Sequence, residues 1–182
     1  MSNIIIHIAG AQGSGKTTMG SKLLKKYKDK IYVKDLDELS SENTYTNNYQ
    51  RFIDEFIESH RDKPLIFVGL DAELCLGSME DSDVVYDLHA TYKFYIMTSK
   101  DVLKQRFFRQ IEKLSDRREW FFDQYLKNPD FIQNKLFRFV DLNAWIVNNE
   151  KCDKMYISRK YEFLDYGILY KNVCKKININ IN

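Results

Sequence analysis

Two periods of hydrophobicity alternate along the chain. Ile4-Ile5-Ile6-His7-Ile8 is nearly unbroken in its apolar character, as in a strand covered on both faces; a strand with one face in water would turn polar at every second position. Ile31 to Val33, Leu65 to Val68 (after Pro64 and before Gly69) and Tyr92 to Met97 read as further strands, and Met155 to Ile157 predicts a fifth. Between them the period lengthens to that of a helix. Helices are expected at Thr17 to Tyr27, from a cap at Asn47-Asn48 to about His60, from about Asp101 to Leu114 after a Thr98 or Ser99 cap, and from Lys160 to Lys176. Phe52/Phe56 and Ile53/Ile57 repeat at i,i+4 in the second of these. Residues 115 to 149 read as helix interrupted near Ser115-Asp116 and Asn128-Pro129, and the tail from Ile177 to Asn182 fits a short strand as well as a frayed end. Strands alternating with helices predict an α/β fold with a parallel sheet covered on both faces. The long helical stretch before the fifth strand is extra material on that frame.

Composition narrows the class. The 182 residues show no internal repeat and no flexible linker, so residues 1–182 are expected to form a single domain. Charged residues make up 30% of the chain yet leave a net charge of only +2, which excludes a disordered polyelectrolyte. That balance gives no case for general attraction to nucleic acid or membrane, and leaves open only a local basic patch. No apolar run is long enough to span a bilayer. A cleaved signal peptide is not expected either, because the Ile4–Ile8 run carries His7 and leads straight into a glycine-rich loop. Cys75, Cys152 and Cys174 are odd in number and widely spaced, which fits a reducing compartment, the cytoplasm. His7, His60 and His89 are similarly scattered and read as core or surface fillers. Abundant Ile, Asn, Lys, Tyr and Phe with few Gly and Pro point to an AT-rich genome, such as that of a virus or parasite; for a virus the compartment would be the host cytoplasm.

The loop itself carries the chemistry. Gly10-Ala11-Gln12-Gly13-Ser14-Gly15-Lys16-Thr17 satisfies GxxxxGK[ST] at every fixed position, between a strand and a helix. Glycines let several backbone N–H groups converge on phosphate oxygens, and the following helix turns its partly positive end to the same anion. Lys16 is expected on the β- and γ-phosphates and the Thr17 hydroxyl on magnesium, with Thr18 at the start of the helix. The implied ligands are a nucleoside triphosphate, ATP, and Mg2+.

On this P-loop and the order of its elements, the chain resembles the small P-loop kinases: nucleoside monophosphate, shikimate and gluconate kinases. The resemblance implies a three-layer sandwich with a five-stranded parallel sheet of order 2-3-1-4-5, a phosphoryl acceptor beside the triphosphate, and a helical lid bearing arginines. Asp35-Leu36-Asp37, after the second strand, is similar to the DxD element of shikimate- and gluconate-type kinases. One carboxylate would orient or deprotonate an acceptor hydroxyl, with Asp35 expected in that role. Asp37 would border the acceptor and hold a magnesium-bound water. The bland alternative is an acidic turn in solvent. Arg106 and Arg109, spaced by three on the helix after strand four, are similar to lid arginines that neutralise the transferring phosphoryl group; the lid would span about 105–130. Each could equally belong to a solvated basic face.

Departures from that pattern are specific. Strand three ends Val68-Gly69-Leu70-Asp71 without an acidic residue at the strand end itself, so either Asp71 or Asp35 would serve the metal. No intact monophosphate signature stands near residues 36 to 60, where Arg51 is a candidate for an acceptor phosphate or carboxylate. Arg159, after the expected fifth strand, falls where the resemblance implies an adenine-contacting loop. The expectation is an ATP-dependent phosphotransferase acting on a small acceptor, a nucleoside or nucleotide. The alternatives are a 5′-hydroxyl polynucleotide kinase, and a non-catalytic or regulatory nucleotide-binding protein. A GTP switch is excluded because Asn149-Glu150-Lys151-Cys152-Asp153 supplies no NKxD and no DxxG follows strand three.

Overall fold

Strand β1 (Ile5–Gly10) is buried along its whole length, and the sheet grows outward from it. In this computed structural model, which describes residues 4–42, 49–73, 84–115 and 142–181, β1 pairs in parallel with β3 (Leu65–Val68) on one side and β6 (Tyr92–Met97) on the other. Strand β2 (Tyr32–Asp35) adds to β3 and β7 (Glu162–Asp165) to β6, again in parallel. The order β2-β3-β1-β6-β7 is therefore 2-3-1-4-5 when only these strands are numbered, as expected. A small antiparallel ribbon, β4 (Ala72–Glu73) with β5 (Val84–Val85), lies apart from it.

Alternation along β1 serves both faces. Ile4, Ile6 and Ile8 join Ile66, Val68 and Ile96 in one core, covered by α1 (Lys16–Tyr27) through Met19 and Leu23 and by the last helix through Leu169, Val173 and Ile177. Removing one such fully buried side chain, as in Ile6→Ala, costs about 2–5 kcal/mol. Gly20 sets the approach of α1, since a Cβ there would lie 3.0 Å from Val33 and 3.2 Å from Val68. On the other face Ile5, Leu65 and Phe67 pack against α2 (Leu36–Glu42) and α3 (Tyr49–Ser59) through Leu36, Leu39, Ile53 and Ile57. Helix α4 (Lys100–Ser115) begins at a cap where Ser99 Oγ accepts the Val102 N–H at 3.4 Å.

Three expectations are corrected. Strand β2 runs two residues further than predicted, so Asp35 ends the strand instead of following it, and Asp37 falls in the first turn of α2, a helix the pattern did not predict. Met155 to Ile157 is not a strand but the end of α5 (Leu142–Ser158). Tyr156 is there fully buried beside Ala9 and Tyr95, and that burial outweighs the local strand preference of Met155-Tyr156-Ile157. The helix stops through a Schellman ending: Lys160 takes a left-handed φ of 59°, and the Lys160 and Tyr161 N–H groups donate to the carbonyls of Ile157 (3.0 Å) and Tyr156 (3.2 Å). A lysine occupies the place where glycine would have announced the end. The last helix, α6, accordingly runs from Tyr166 to Ile181 rather than from Lys160, and the tail from Ile177 continues it.

Candidate functional site

The Gly10–Thr17 loop turns through two left-handed glycines, Gly13 (φ 80°) and Gly15 (φ 102°), and Ser14 closes it by donating its N–H to the Ala11 carbonyl at 3.0 Å. Helix α1 begins at Lys16, so its unpaired N–H groups open onto the loop. Lys16 folds back across it, Nζ donating to the Gly10 and Ala11 carbonyls at 2.8 and 3.0 Å. Burial lowers the pKa of this ammonium, against the opposing pull of Asp37, Cys152 and Asp35. Thr17 Oγ1 donates to Asp35 Oδ2 at 2.8 Å, and Asp35 Oδ1 accepts the Asp37 N–H at 3.0 Å. Asp35 thus joins the first turn of α1 to the end of β2 and steadies the first turn of α2. Desolvation, and then the neighbouring Asp35 carboxylate, raise the Asp37 carboxyl, with Lys16 acting the other way. Thr18 is exposed on α1.

Three further side chains close on the loop. Arg106 of α4 donates from Nη1 to the Gly13 carbonyl at 2.5 Å. The Tyr166 ring, at the start of α6, lies against Gly15: a Cβ at that glycine would be 3.3 Å from the ring and 3.8 Å from Arg106 Nη1. Asn149 of α5, buried, accepts the Gln12 N–H at 3.2 Å. Among the described residues Ser14 Oγ, Asn149 Nδ2 and Tyr166 OH are buried polar atoms with no hydrogen-bond partner, and all three border this loop. Leaving such a group unpaired costs about 1–3 kcal/mol. Their concentration here fits a site built for a polar ligand. Among the described residues no group of three His, Cys, Asp or Glu is placed to hold a metal ion. A divalent cation here would rest on Asp35, Thr17 and oxygens of the ligand, a donor set suited to magnesium.

Asp71 and Arg159 are placed together as an ion pair. Arg159 donates from Nη1 and Nη2 to Asp71 Oδ1 and Oδ2 at 2.7 and 2.5 Å, and Tyr156 OH donates to Oδ1 at 2.6 Å. Burial pushes the Asp71 carboxyl up, but Arg159, His7 and Tyr156 outweigh it and hold it below the usual carboxylate range. Both Asp71 oxygens are thus engaged by Arg159 and the tyrosine hydroxyls, and Arg159 is the counter-ion of the carboxylate. His7 belongs to the same network. Its Nε2 donates to the Gly69 carbonyl at 3.1 Å and its Nδ1 lies 2.7 Å from Tyr161 OH, which is also 3.2 Å from Asp71. Burial pushes the imidazole down to about 4, so it is neutral at pH 7.

Arg51 faces solvent and pairs with Glu55 at 2.7 Å one turn along α3, both side chains being more than half exposed. Arg109 is exposed on α4. Arg117, Arg118, the predicted break at Asn128-Pro129 and most of the 105–130 segment lie outside the described residues. Sequence reasoning missed Asn149, Tyr166 and the His7 network. The one available signal was position: Tyr166-Gly167 directly follows the true last strand. No helix among the described residues is long and apolar enough to cross a membrane.

No known protein family matches this chain, and no curated protein matches it. Among solved structures it is similar to one titled "Crystal structure of APE1195", at 14% identity over 100% of this chain and 98% of that one, with a TM-score of 0.49. At that distance the likeness carries no conclusion about function, which rests on the residues around the loop.

Proposed function

We propose that the protein is an ATP- and magnesium-dependent phosphotransferase acting on a small acceptor, a nucleoside or nucleotide. The observation that carries this reading is the 2.8 Å hydrogen bond from Thr17 Oγ1 to Asp35 Oδ2, which brings a DxD carboxylate onto the GxxxxGKT loop. The loop's N–H groups and Lys16 would take the phosphates once Lys16 leaves the Gly10 and Ala11 carbonyls. Thr17 and Asp35 would hold magnesium, whose chemistry is to neutralise charge on the phosphate oxygens. The expected roles of the two aspartates therefore exchange. Asp37, with its raised carboxyl pKa and its electrostatic coupling to Lys16, would orient or deprotonate an acceptor hydroxyl.

Arg106 reaches the loop from α4, a position from which its guanidinium can shift from the Gly13 carbonyl to a phosphoryl oxygen as negative charge develops there. Arg109 and the segment to about residue 130 would complete a lid. Tyr166, with an unpartnered hydroxyl and its ring over Gly15, replaces Arg159 as the expected wall of the base pocket. The test is incubation with γ-labelled ATP, magnesium and a panel of nucleosides, nucleotides, sugars and oligonucleotides. Transfer to one small acceptor supports the reading. ATP binding without transfer to any acceptor refutes it in favour of a regulatory nucleotide-binding protein.

A further inference from the structure

Charge is segregated in this protein although the chain as a whole is nearly balanced, with 28 basic and 26 acidic residues. Helices α1 and α6 lie side by side on one face of the sheet, sharing a core through Leu23 and Val173. Apart from Lys16, α1 contributes Lys22, Lys25 and Lys26, and α6 contributes Lys171, Lys175 and Lys176; neither helix contains an aspartate or glutamate. With no carboxylate in either helix to neutralise them, the four lysines placed at the seam, Lys22, Lys26, Lys171 and Lys175, make it positive.

The seam between the two helices has the shape and chemistry of a groove. It starts beside the Gly10–Thr17 loop, where Tyr166 meets Gly15. Lys22 lies 5.1 Å above the Tyr166 ring and, one turn on, Lys26 lies 5.8 Å from the centre of the Tyr170 ring. Beyond it opens a cavity of about 440 Å³ lined by Lys26, Tyr170, Lys171, Lys175 and Asn178, among others. Tyr27 OH lies 2.9 Å from Asn178 Oδ1 and 3.2 Å from the Cys174 carbonyl, sharing its one proton between them, which pins the helices together below it.

We propose that this α1–α6 seam binds single-stranded nucleic acid. Lysines on both banks match a chain of phosphates, and tyrosines one turn apart offer ring faces on which successive bases can stack. The lysine side chains are long enough to yield a ring to a base while keeping the ammonium on the adjoining phosphate. A duplex would present no base faces to these rings. A membrane surface fits less well: the exposed apolar residues of α6, Ile168 and Ile179, stand 11 residues apart, about 16 Å along the helix, and make no continuous apolar stripe. The seam shares Tyr166 with the proposed nucleotide pocket, and its test is made without ATP, so the outcome does not depend on phosphate transfer.

Fluorescence anisotropy of a labelled 12-nucleotide single strand, without ATP or magnesium, tests it. Four seam lysines (Lys22, Lys26, Lys171, Lys175) neutralising four phosphates give a log–log salt slope of roughly −3, so affinity falls about 50-fold between 50 and 200 mM salt. Replacing Lys26 and Lys171 together by Gln should lower the steepness by about 1.4, while Arg61→Gln with Lys63→Gln, in the turn beyond α3, leaves it unchanged. Unchanged melting of both double variants confirms that the fold is retained. The proposal is overturned by no binding at 50 mM salt, by equal or tighter binding of a duplex, by a slope indifferent to the Lys26/Lys171 pair, or by binding to anionic phospholipid vesicles in place of the oligonucleotide.

Discussion

Acidification probes the buried His7 network through a single titration. The imidazole has an ordinary pKa of 6.5 and is pushed down to about 4 by burial. Between those values the unfolded chain binds a proton that the folded chain refuses. Stability from this group is therefore complete above pH 6.5 and falls as the pH drops toward 4. The full difference corresponds to about 3 kcal/mol, of which about 2 kcal/mol is lost by pH 5. In a chain of this length each kcal/mol moves Tm by about 2–4 °C, so the parent should melt about 4–8 °C lower at pH 5 than at pH 7. Other carboxylates and histidines contribute to any acid shift, and the comparison that isolates His7 is His7→Gln. The amide can still donate to the Gly69 carbonyl and accept from Tyr161, but it does not titrate. Thermal melts of both proteins at pH 5, 6 and 7 give the result as a difference of differences. The variant should start less stable at pH 7 and lose distinctly less than the parent on going to pH 5. Equal losses in the two proteins would refute a neutral, buried His7.

The other predictions concern the loop and the Asp71 anchor. Lys16→Ala should reduce phosphate transfer roughly a hundredfold to a thousandfold, since it removes charge stabilisation at the phosphates; turnover within threefold of the parent would remove the phosphate-loop reading. Asp35→Asn should weaken the magnesium dependence of ATP binding, whereas Asp37→Asn should depress transfer while leaving ATP affinity near that of the parent; titrations of ATP against magnesium distinguish them, and the reverse pattern would restore the roles first expected from sequence. Arg159→Ala leaves the Asp71 carboxylate, whose side chain is 2% exposed, without its bidentate partner and should cost about 3 kcal/mol. An unchanged Tm would show that the pair contributes nothing, and a selective loss of ATP affinity would return Arg159 to the nucleotide.

Much of the framework can be read from local pattern because its causes are local. A run such as Leu65 to Val68 has a strand's composition within its own four residues, and the structure places β3 on those residues. The second fixed glycine of GxxxxGKT, Gly15, similarly takes the left-handed conformation that a tight loop needs, as does Gly13 within the loop. Contacts between distant residues decided the rest. Asp71 and Arg159 are 88 positions apart, and neither spacing nor composition signals that they will neutralise each other. Until they are brought together, Asp71 looks like a metal ligand and Arg159 like a ligand contact. Met155-Tyr156-Ile157 has strand-like residues but lies in a helix, because burying Tyr156 against β1 and β6 outweighs a local preference of a fraction of a kcal/mol. Two residues of extra pairing between β2 and β3 carry Asp35 to Thr17. Local preference is settled within a few residues of the chain; which charged and polar groups find each other is settled only when the sheet has assembled and water has been excluded around them.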